Sequence, residues 1–200
     1  MLEQVDWIKS GKLCVYPTST QPAVGSLPNK NALDLLFNLK KRSADKPVSL
    51  GVSSLMQASE FVVIPENLQI FLQYFPRGSI TVVLPPKRTY DDRLGSNGIA
   101  IRILDHPLAR KLVNHTGPLT ATSANESGKK PHNSSKLAAQ ELGGLAKGVH
   151  WIDGLCKGGA PSTLISYPSE IIPSGPRRPE ILREGIIPEN RVIEAWKKLT

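Results

Sequence analysis

The side chains of this sequence that could do chemistry gather where short apolar runs end. The clearest stretch covers residues 118–125, PLTATSAN, and is followed by ESG at 126–128. It begins apolar and ends in small polar residues, a pattern typical of a buried strand whose tip opens into a tight loop. At such a tip the side chains of Thr122, Ser123 and Asn125 can converge on one ligand, as ligands do at strand ends in open α/β sheets. A turn that only caps the next helix is the alternative interpretation.

Other strand ends carry hydroxyl groups, and cations lie near them in the sequence. The further hydroxyls belong to Thr18, Thr20, Thr81, Ser162 and Thr163, and the cations to Lys40, Arg42, Arg102 and Arg183. Such a set suits a polyphosphate, because charged donors form strong hydrogen bonds to phosphate oxygens. The basic run 40–42 has a second interpretation, since cations at the end of a helix also stabilise its dipole. Taken together, these residues predict a site for an anion.

Other catalytic motifs are missing from the sequence. Residues 128–130 lack the glycine spacing and the final hydroxyl of a Walker phosphate loop, and no GxGxxG occurs. Ser123 does not stand in the GxSxG elbow of the serine hydrolases. Asp91 and Asp92 lie in a charged stretch that is typical of a solvated loop. Four histidines show no metal-ligand spacing: His106, His115, His132 and His150. We therefore predict no metal site formed by the protein itself.

The bulk composition favours a single domain with an anionic partner. The chain has 200 residues, of which 40% are hydrophobic, enough for one ordinary core over residues 1–200. Its formal net charge of +8 suits an anionic ligand or a nucleic acid. The two cysteines have no CxxC spacing, as expected for buried thiols in a reducing compartment. With neither a signal-peptide pattern nor a run of 18 apolar residues, we expect a cytoplasmic protein without a membrane span.

Apolar periodicity predicts alternating strands and helices, and hence an α/β sheet with helices on its faces. Besides the first stretch, strands are predicted over 13–16, 47–52, 79–84, 98–103, 149–152, 162–165 and 180–185, and helices over 2–10, 31–39, 54–61, 66–75, 106–115, 134–142 and about 188–200. Within the strand at 98–103, Arg102 alternates with Ile101 and Ile103. Its side chain should therefore face away from theirs.

The stretch TATSANESG at 120–128 resembles the TSANxSG signature of the YrdC family, the threonylcarbamoyl-AMP synthases. Further segments follow in the family's order. They are YPTST at 16–20, KKR at 40–42 with KP at 46–47, GSIT at 78–81, AIR at 100–102 with HP at 106–107, ST at 162–163 and LREG at 182–185. The first signature is specific and the others gain weight from their order. The resemblance covers about residues 1–187.

The resemblance implies a fold and an activity. The fold would be a YrdC-like twisted mixed β-sheet flanked by helices, with a concave basic cavity. The activity would be that of a nucleotidyltransferase that makes threonylcarbamoyl-adenylate and pyrophosphate from L-threonine, bicarbonate and ATP. Mg²⁺ would accompany the ATP. The product would reach adenosine 37 of tRNA through partner proteins of the threonylcarbamoyl transferase complex, with a possible direct contact to tRNA or double-stranded RNA.

The resemblance also implies roles for individual residues. Those expected to hold ATP are Lys40, Arg42, Thr81, Ser123, Asn125 and Arg183. Those expected to hold threonine are Thr18, Thr20, Arg102, Thr122 and Ser162. Arg102 suits the amino-acid carboxylate because its guanidinium can bind two oxygens at once. No side-chain nucleophile is needed, and catalysis would consist of positioning and charge neutralisation, chiefly by Lys40 and Arg42.

The sequence also departs from the family pattern TxTxYGLG. After Thr20 it runs QPAV at 21–24, so a proline stands where the family has an aromatic residue. Gly51 occupies a position near which the family often has a histidine, and PRGS at 76–79 replaces WPGP. These departures lie around the expected threonine pocket. Two hypotheses therefore remain: an active synthase with a reshaped amino-acid pocket, or a YrdC-fold module that binds nucleotide or double-stranded RNA and has lost the reaction.

Overall fold

The computed structural model describes residues 1–126, 128–168 and 177–199. Ser127 of the signature stretch and Thr200 at the end of the predicted last helix lie outside the described residues. The helices are α1 (Leu2–Lys9), α2 (Lys30–Lys40), α3 (Leu55–Ala58), α4 (Leu68–Gln73), α5 (Pro107–Thr116), α6 (Ser135–Glu141) and α7 (Glu189–Lys197). The strands are β1 (Leu13–Tyr16), β2 (Ala23–Gly25), β3 (Leu50–Val52), β4 (Ile80–Leu84), β5 (Ile99–Ile103), β6 (Leu119–Thr120), β7 (Thr122–Ser123), β8 (Val149–Trp151), β9 (Thr163–Ser166) and β10 (Glu180–Arg183).

The strands form two mixed sheets. The smaller sheet has the order β7-β2-β1-β8, and the larger has the order β10-β9-β4-β5-β3-β6. In the larger sheet β4 runs parallel to β9 and antiparallel to β5, while β10 runs antiparallel to β9. The predicted fold class, a mixed α/β fold with helices flanking the sheet, is confirmed. The single-domain organisation over residues 1–200 stays a prediction.

The signature stretch joins the two sheets, which the sequence did not predict. One strand ending in a tight loop was expected within residues 118–125, but β6 pairs with β3 in the larger sheet and β7 pairs with β2 in the smaller one. The chain changes sheets at Ala121, whose backbone N–H donates to the carbonyl of Ser49. The strand β2 was also not predicted, because it is only three residues long and directly follows Pro22.

Most helices follow from their apolar spacing and their caps. In α2, the Asn29 side chain accepts a hydrogen bond from the N–H of Ala32, and Leu33, Leu36 and Phe37 face the core. The serine cap predicted for the helix at 134–142 is confirmed. The Ser134 side chain accepts a hydrogen bond from the backbone N–H of Leu137, the third residue of α6. No helix within the described residues is both long and apolar enough to cross a membrane.

The end of α2 carries the basic run. Lys40 is the last helical residue, and Lys41 follows in the left-handed conformation with φ 48° and ψ 41°. That conformation suits glycine, because a Cβ atom crowds the following carbonyl oxygen. It reverses the chain so that the N–H of Arg42 returns to the carbonyl of Phe37. Lys40 and Arg42 therefore leave the helix end in different directions.

Replacing Lys41 by glycine should stabilise the fold. Lys41 is the one described non-glycine residue with positive φ, and its side chain is exposed. We expect Lys41→Gly to raise the free energy of unfolding by about 0.5–1 kcal/mol, measured by urea denaturation. Lys41→Ala keeps the Cβ atom and serves as the control. If alanine stabilised the protein as much as glycine does, backbone strain at this position would not be the cause.

Candidate active site

The predicted residues meet at one cavity of about 290 Å³ between the two sheets. Eight of the predicted site residues line it: Thr20, Arg42, Thr81, Arg102, Thr122, Ser123, Ser162 and Arg183. Three others do not: Thr18, Lys40 and Asn125 lie behind the wall. The volume lies just below the range of about 300–1,000 Å³ that is typical of small-molecule sites. The segments that carry the signature stretches thus converge, although they are far apart in the sequence.

The mixed strand directions of the larger sheet explain why β4, β5, β9 and β10 all contribute residues to this cavity. The parallel strands β4 and β9 begin there, with Thr81 and Ser162 at or just before their starts. The antiparallel neighbours β5 and β10 end there, with Arg102 and Arg183 near their ends. The ligand position expected at carboxyl ends of strands is therefore only partly right, because two of the four strands present their amino ends.

Alternation along β5 separates the cavity from a second one on the opposite face. Arg102 lines the first cavity, whereas Ile101 and Ile103 line the second, as the alternating pattern predicted. The second cavity is larger, about 450 Å³, but its wall is mainly apolar. Its only described cation, Arg77, donates to the backbone carbonyls of Ser53 and Leu104. The chemistry predicted from the sequence lies in the smaller cavity.

Arg102 is fixed in the cavity wall by hydrogen bonds on one side of its guanidinium. Its Nε donates to the carbonyl of Gly78 at 2.9 Å, and Nη2 donates to Oγ1 of Thr20 at 2.9 Å. Burial lowers the pKa of Arg102 from its ordinary value, but an arginine still remains charged at neutral pH. No described residue accepts a hydrogen bond from Nη1, so this end of the fork is available to a ligand.

Two further arginines share the cavity with Arg102. Arg42 donates to the carbonyls of Lys46 and Pro47 at 2.7 and 2.9 Å, and Arg183 donates to the carbonyl of Ser162 at 2.8 Å. Burial, and then repulsion from Arg183, lower the pKa of Arg42. None of the described lining residues carries a carboxylate. This unbalanced positive charge favours an anionic ligand.

Some of the predicted hydroxyl groups belong to residues that line the cavity, and others stabilise the turns around it. Oγ1 of Thr81 and Oγ of Ser162 lie 2.7 Å apart in the wall. Thr18 instead donates to the carbonyl of Gln21 at 2.6 Å and accepts from the N–H of Thr20 at 3.2 Å. Thr18 thus builds the turn after β1 that places the Thr20 hydroxyl beside Arg102.

Lys40 lies behind the wall and contacts the signature loop. Its Nζ donates to the carbonyls of Ser123 and Asn125 at 2.5 and 2.6 Å. The Lys40 side chain is only 4% exposed, and burial, followed by repulsion from Arg42, lowers its pKa to about 8. The interpretation that Lys40 serves the helix dipole is therefore not sufficient, because its ammonium is bound to another segment.

Asn125 closes the loop from the other side. Its Nδ2 donates to the carbonyls of Glu126 and Lys129 at 2.9 and 2.6 Å. Its Oδ1 is buried and has no hydrogen-bond partner among the described residues. A buried acceptor without a donor is unfavourable by about 1–3 kcal/mol. Because Asn125 is not among the lining residues, its amide contributes to the loop behind the cavity.

No group of three or more His, Cys, Asp or Glu side chains in residues 1–126, 128–168 and 177–199 could hold a metal ion. The cavity therefore offers arginines, hydroxyls and amides as its polar groups. Such groups bind and orient an anion, but they provide no nucleophile with an adjacent general base.

Comparison with known proteins shows the family of this chain. Residues 6–185 match the family described as Sua5/YciO/YrdC, telomere recombination. The chain belongs to the Sua5/YciO/YrdC family. The resemblance that the sequence motifs predicted is confirmed.

Relatives in the Sua5/YciO/YrdC family cover most of the chain. It is 31% identical over 183 residues to a putative threonylcarbamoyl-AMP synthase of Methanocaldococcus jannaschii, covering 90% of this chain and 83% of the relative. It is 29% identical over 192 residues to a threonylcarbamoyl-AMP synthase of Bacillus subtilis, covering 92% of this chain and 53% of the relative.

The crystal structure of P. abyssi Sua5 complexed with L-threonine is similar, with a TM-score of 0.84 and 27% identity over 96% of this chain and 56% of that one. The chain thus spans about half the length of the Bacillus subtilis relative and of the P. abyssi structure.

The departures from the family pattern have different positions. Pro22 and Ala23 lie in the cavity wall, and the carbonyl of Pro22 accepts from the N–H of Ala124 at 2.9 Å. Gly51 is not among the lining residues. A Cβ atom there would lie 3.0 Å from a methyl group of Leu104 and 3.1 Å from the hydroxyl of Tyr16. The Gly51 departure therefore belongs to the packing behind the site, whereas Gln21, Pro22 and Ala23 line the wall directly. In the third departure, at 76–79, the carbonyl of Gly78 accepts from Arg102.

Several wall residues were not predicted from the sequence. Ala100 and Leu164 line the cavity because each stands two residues along a strand from a predicted residue, on the same face. The period-two pattern could have identified them. Ser49 lines the cavity from the segment before β3, and its hydroxyl donates to the carbonyl of Ala121. No local pattern indicates this position, because its partner is 72 residues away.

The buried position of Lys40 predicts a pH dependence of stability. Its folded pKa of about 8 lies below the ordinary value of 10.5, so the folded state binds fewer protons than the unfolded state between these values. The free energy of unfolding should therefore rise with pH in this window. Relative to Lys40→Met, the wild-type protein should gain about 1–2 kcal/mol between pH 7.5 and pH 9.5. Urea denaturation of both proteins at both pH values measures it, and a pH-independent difference would contradict the shift.

Proposed function

We propose that this chain is a threonylcarbamoyl-AMP synthase, a nucleotidyltransferase that forms threonylcarbamoyl-adenylate and pyrophosphate from L-threonine, bicarbonate and ATP. The observation that carries the proposal is a cavity with three arginines and paired hydroxyls but no carboxylate among its described lining residues. The relatives' names and the L-threonine complex of P. abyssi Sua5 support the same activity.

The amino acid would bind at the Arg102 side of the cavity. Nη1 of Arg102 would donate to the carboxylate, while Nη2 already donates to Oγ1 of Thr20 at 2.9 Å and to Oγ of Ser19 at 3.3 Å. Oγ1 of Thr81, a residue expected to hold ATP, lies 2.7 Å from Oγ of Ser162. Thr20, Thr122 and Ser162 line the same cavity as Arg102 and would offer hydroxyl groups to the polar end of threonine. The arrangement supports the threonine-binding roles assigned to these residues.

The triphosphate would bind at the Arg42 and Arg183 side. Both guanidiniums are anchored through backbone carbonyls and have further donors for phosphate oxygens. Ser123 borders the same space. Mg²⁺ would arrive on the triphosphate oxygens, since the described residues offer no cluster of acidic or histidine ligands for it.

The reaction needs positioning more than side-chain chemistry. The amine of threonine and bicarbonate combine to a carbamate with loss of water. A carbamate oxygen then bonds to the α-phosphorus of ATP, the bond from that phosphorus to the bridging oxygen breaks, and pyrophosphate leaves with the electron pair. Holding the two reactants together supplies much of the acceleration, and the arginines neutralise charge on the phosphates.

The product would be passed to tRNA-modification partners for N6-threonylcarbamoylation of adenosine 37. Such products are mixed anhydrides and react with water, so transfer to a partner protein is expected to be direct. The net charge of +8 is compatible with contact to tRNA or double-stranded RNA. We propose that this takes place in the cytoplasm.

The deciding experiment measures pyrophosphate release. We expect release from ATP that requires both L-threonine and bicarbonate, with threonylcarbamoyl-AMP detected by mass spectrometry. Omission of bicarbonate in degassed buffer is the control. If ATP binds but no pyrophosphate appears under any of these conditions, the protein is a binding module that has lost the reaction.

Two substitutions test the assignment of the two sides of the cavity. Arg42→Ala should raise the Kd for ATP about 10- to 100-fold and change the Kd for threonine by less than about 3-fold. Arg102→Lys should raise the Kd for threonine about 10-fold or more, because a lysine cannot replace the fork, with a small effect on ATP. Calorimetric titration of each ligand alone measures both. An equal loss of both ligands in either variant would contradict the assignment.

A further inference from the structure

The geometry points to Lys40 as a positioning residue that shapes the signature loop without contacting the phosphates itself. The inference rests on the proposed function for the identity of the nucleotide. It changes the role expected from the motif, which assigned Lys40 to ATP together with Arg42. The two basic residues at the end of α2 would thus have separate tasks, with Arg42 in the wall and Lys40 behind it.

The contacts of Lys40 carry the inference. Its Nζ joins two carbonyls of the same loop, those of Ser123 and Asn125, at 2.5 and 2.6 Å. It is not among the lining residues, and 4% of it is exposed. An ammonium has three donors, so two of them are used within the protein. A ligand in the cavity would meet the loop and not the lysine.

The loop conformation depends on where these carbonyls point. The carbonyl of Ser123 accepts from Lys40 and also from the N–H of Asn125 at 3.1 Å. The N–H of Ala124, between these two residues, donates to the carbonyl of Pro22, which directly precedes β2. Both carbonyls accept from Lys40, and Ser123 itself remains in the cavity wall.

The charge environment of Lys40 agrees with a role in which it holds the backbone of the signature loop. Burial, followed by repulsion from Arg42, lowers the pKa of Lys40, and no carboxylate contributes to the shift. A buried cation is unfavourable unless it is hydrogen-bonded. Here two carbonyl dipoles provide that compensation. A neutral donor of similar reach should therefore keep part of the function, whereas a phosphate ligand would need the charge.

The test compares Lys40→Met, which has no donor, with Lys40→Gln, whose neutral amide can donate to the carbonyls. Hydrogen exchange without ligand reports on the loop through the N–H groups of Ala124 and Asn125, and calorimetry reports on ATP binding. Lys41→Met is the matched control, because it removes a lysine charge one residue away from an exposed side chain. It should change neither the exchange nor the Kd for ATP.

We expect exchange at these two amides to be about 10-fold or more faster in Lys40→Met, with the Kd for ATP about 10-fold higher. In Lys40→Gln both should return towards wild type together. The amides of β4 and β5 serve as internal controls for global stability. If the Lys40→Met protein does not fold, Lys40→Gln carries the same comparison against the wild type.

The inference would be overturned if loop exchange and ATP affinity did not change together. Weaker ATP binding with wild-type exchange would make Lys40 a direct ligand, as would restored exchange in Lys40→Gln without restored affinity. Faster exchange with unchanged ATP affinity would make the contact purely structural. A wild-type protein that binds no ATP would end the proposed function instead, while the exchange measurement would still test whether Lys40 holds the loop.

Discussion

Unbalanced positive charge is the constraint on which this structure depends. Arg42, Arg102 and Arg183 share a small cavity, and none of its described lining residues is acidic. Each of these guanidiniums, and the ammonium of Lys40, is held by backbone carbonyls. Carbonyl dipoles stabilise the cations without neutralising them, so the net charge remains available to a ligand. An anion that binds the cavity would relieve the repulsion and stabilise the folded state by mass action.

The mixed strand directions make this concentration of charge possible. Because β5 and β10 run against β4 and β9, arginines near two strand ends meet hydroxyls near two strand starts. On the other face of β5, Ile101 and Ile103 line an apolar cavity. One strand thus contributes to packing with one set of alternate residues and to the site with the other.

The sequence predicted the parts of the site whose cause is local. The alternation of Arg102 with its apolar neighbours fixed its face, and the position of Ser162 at a strand start placed its hydroxyl. The place of Lys40 could not be predicted, because its partners Ser123 and Asn125 are 83 and 85 residues away. The division of the signature stretch between two sheets was missed for a similar reason. It depends on pairing with β2 and β3, and no pattern within the stretch marks the change at Ala121.

The two sides of the cavity also bear on which of the two functional hypotheses the fold favours. A module that bound only nucleotide or RNA backbone would need the Arg42 and Arg183 side. It would have no use for a further buried and anchored guanidinium at Arg102, because burying a guanidinium without a carboxylate is unfavourable. The Thr20 turn and the carbonyl of Gly78 both serve to hold that guanidinium. Such an arrangement has a physical reason when a second, carboxylate-bearing reactant binds beside the phosphates, and this is the requirement of a synthase.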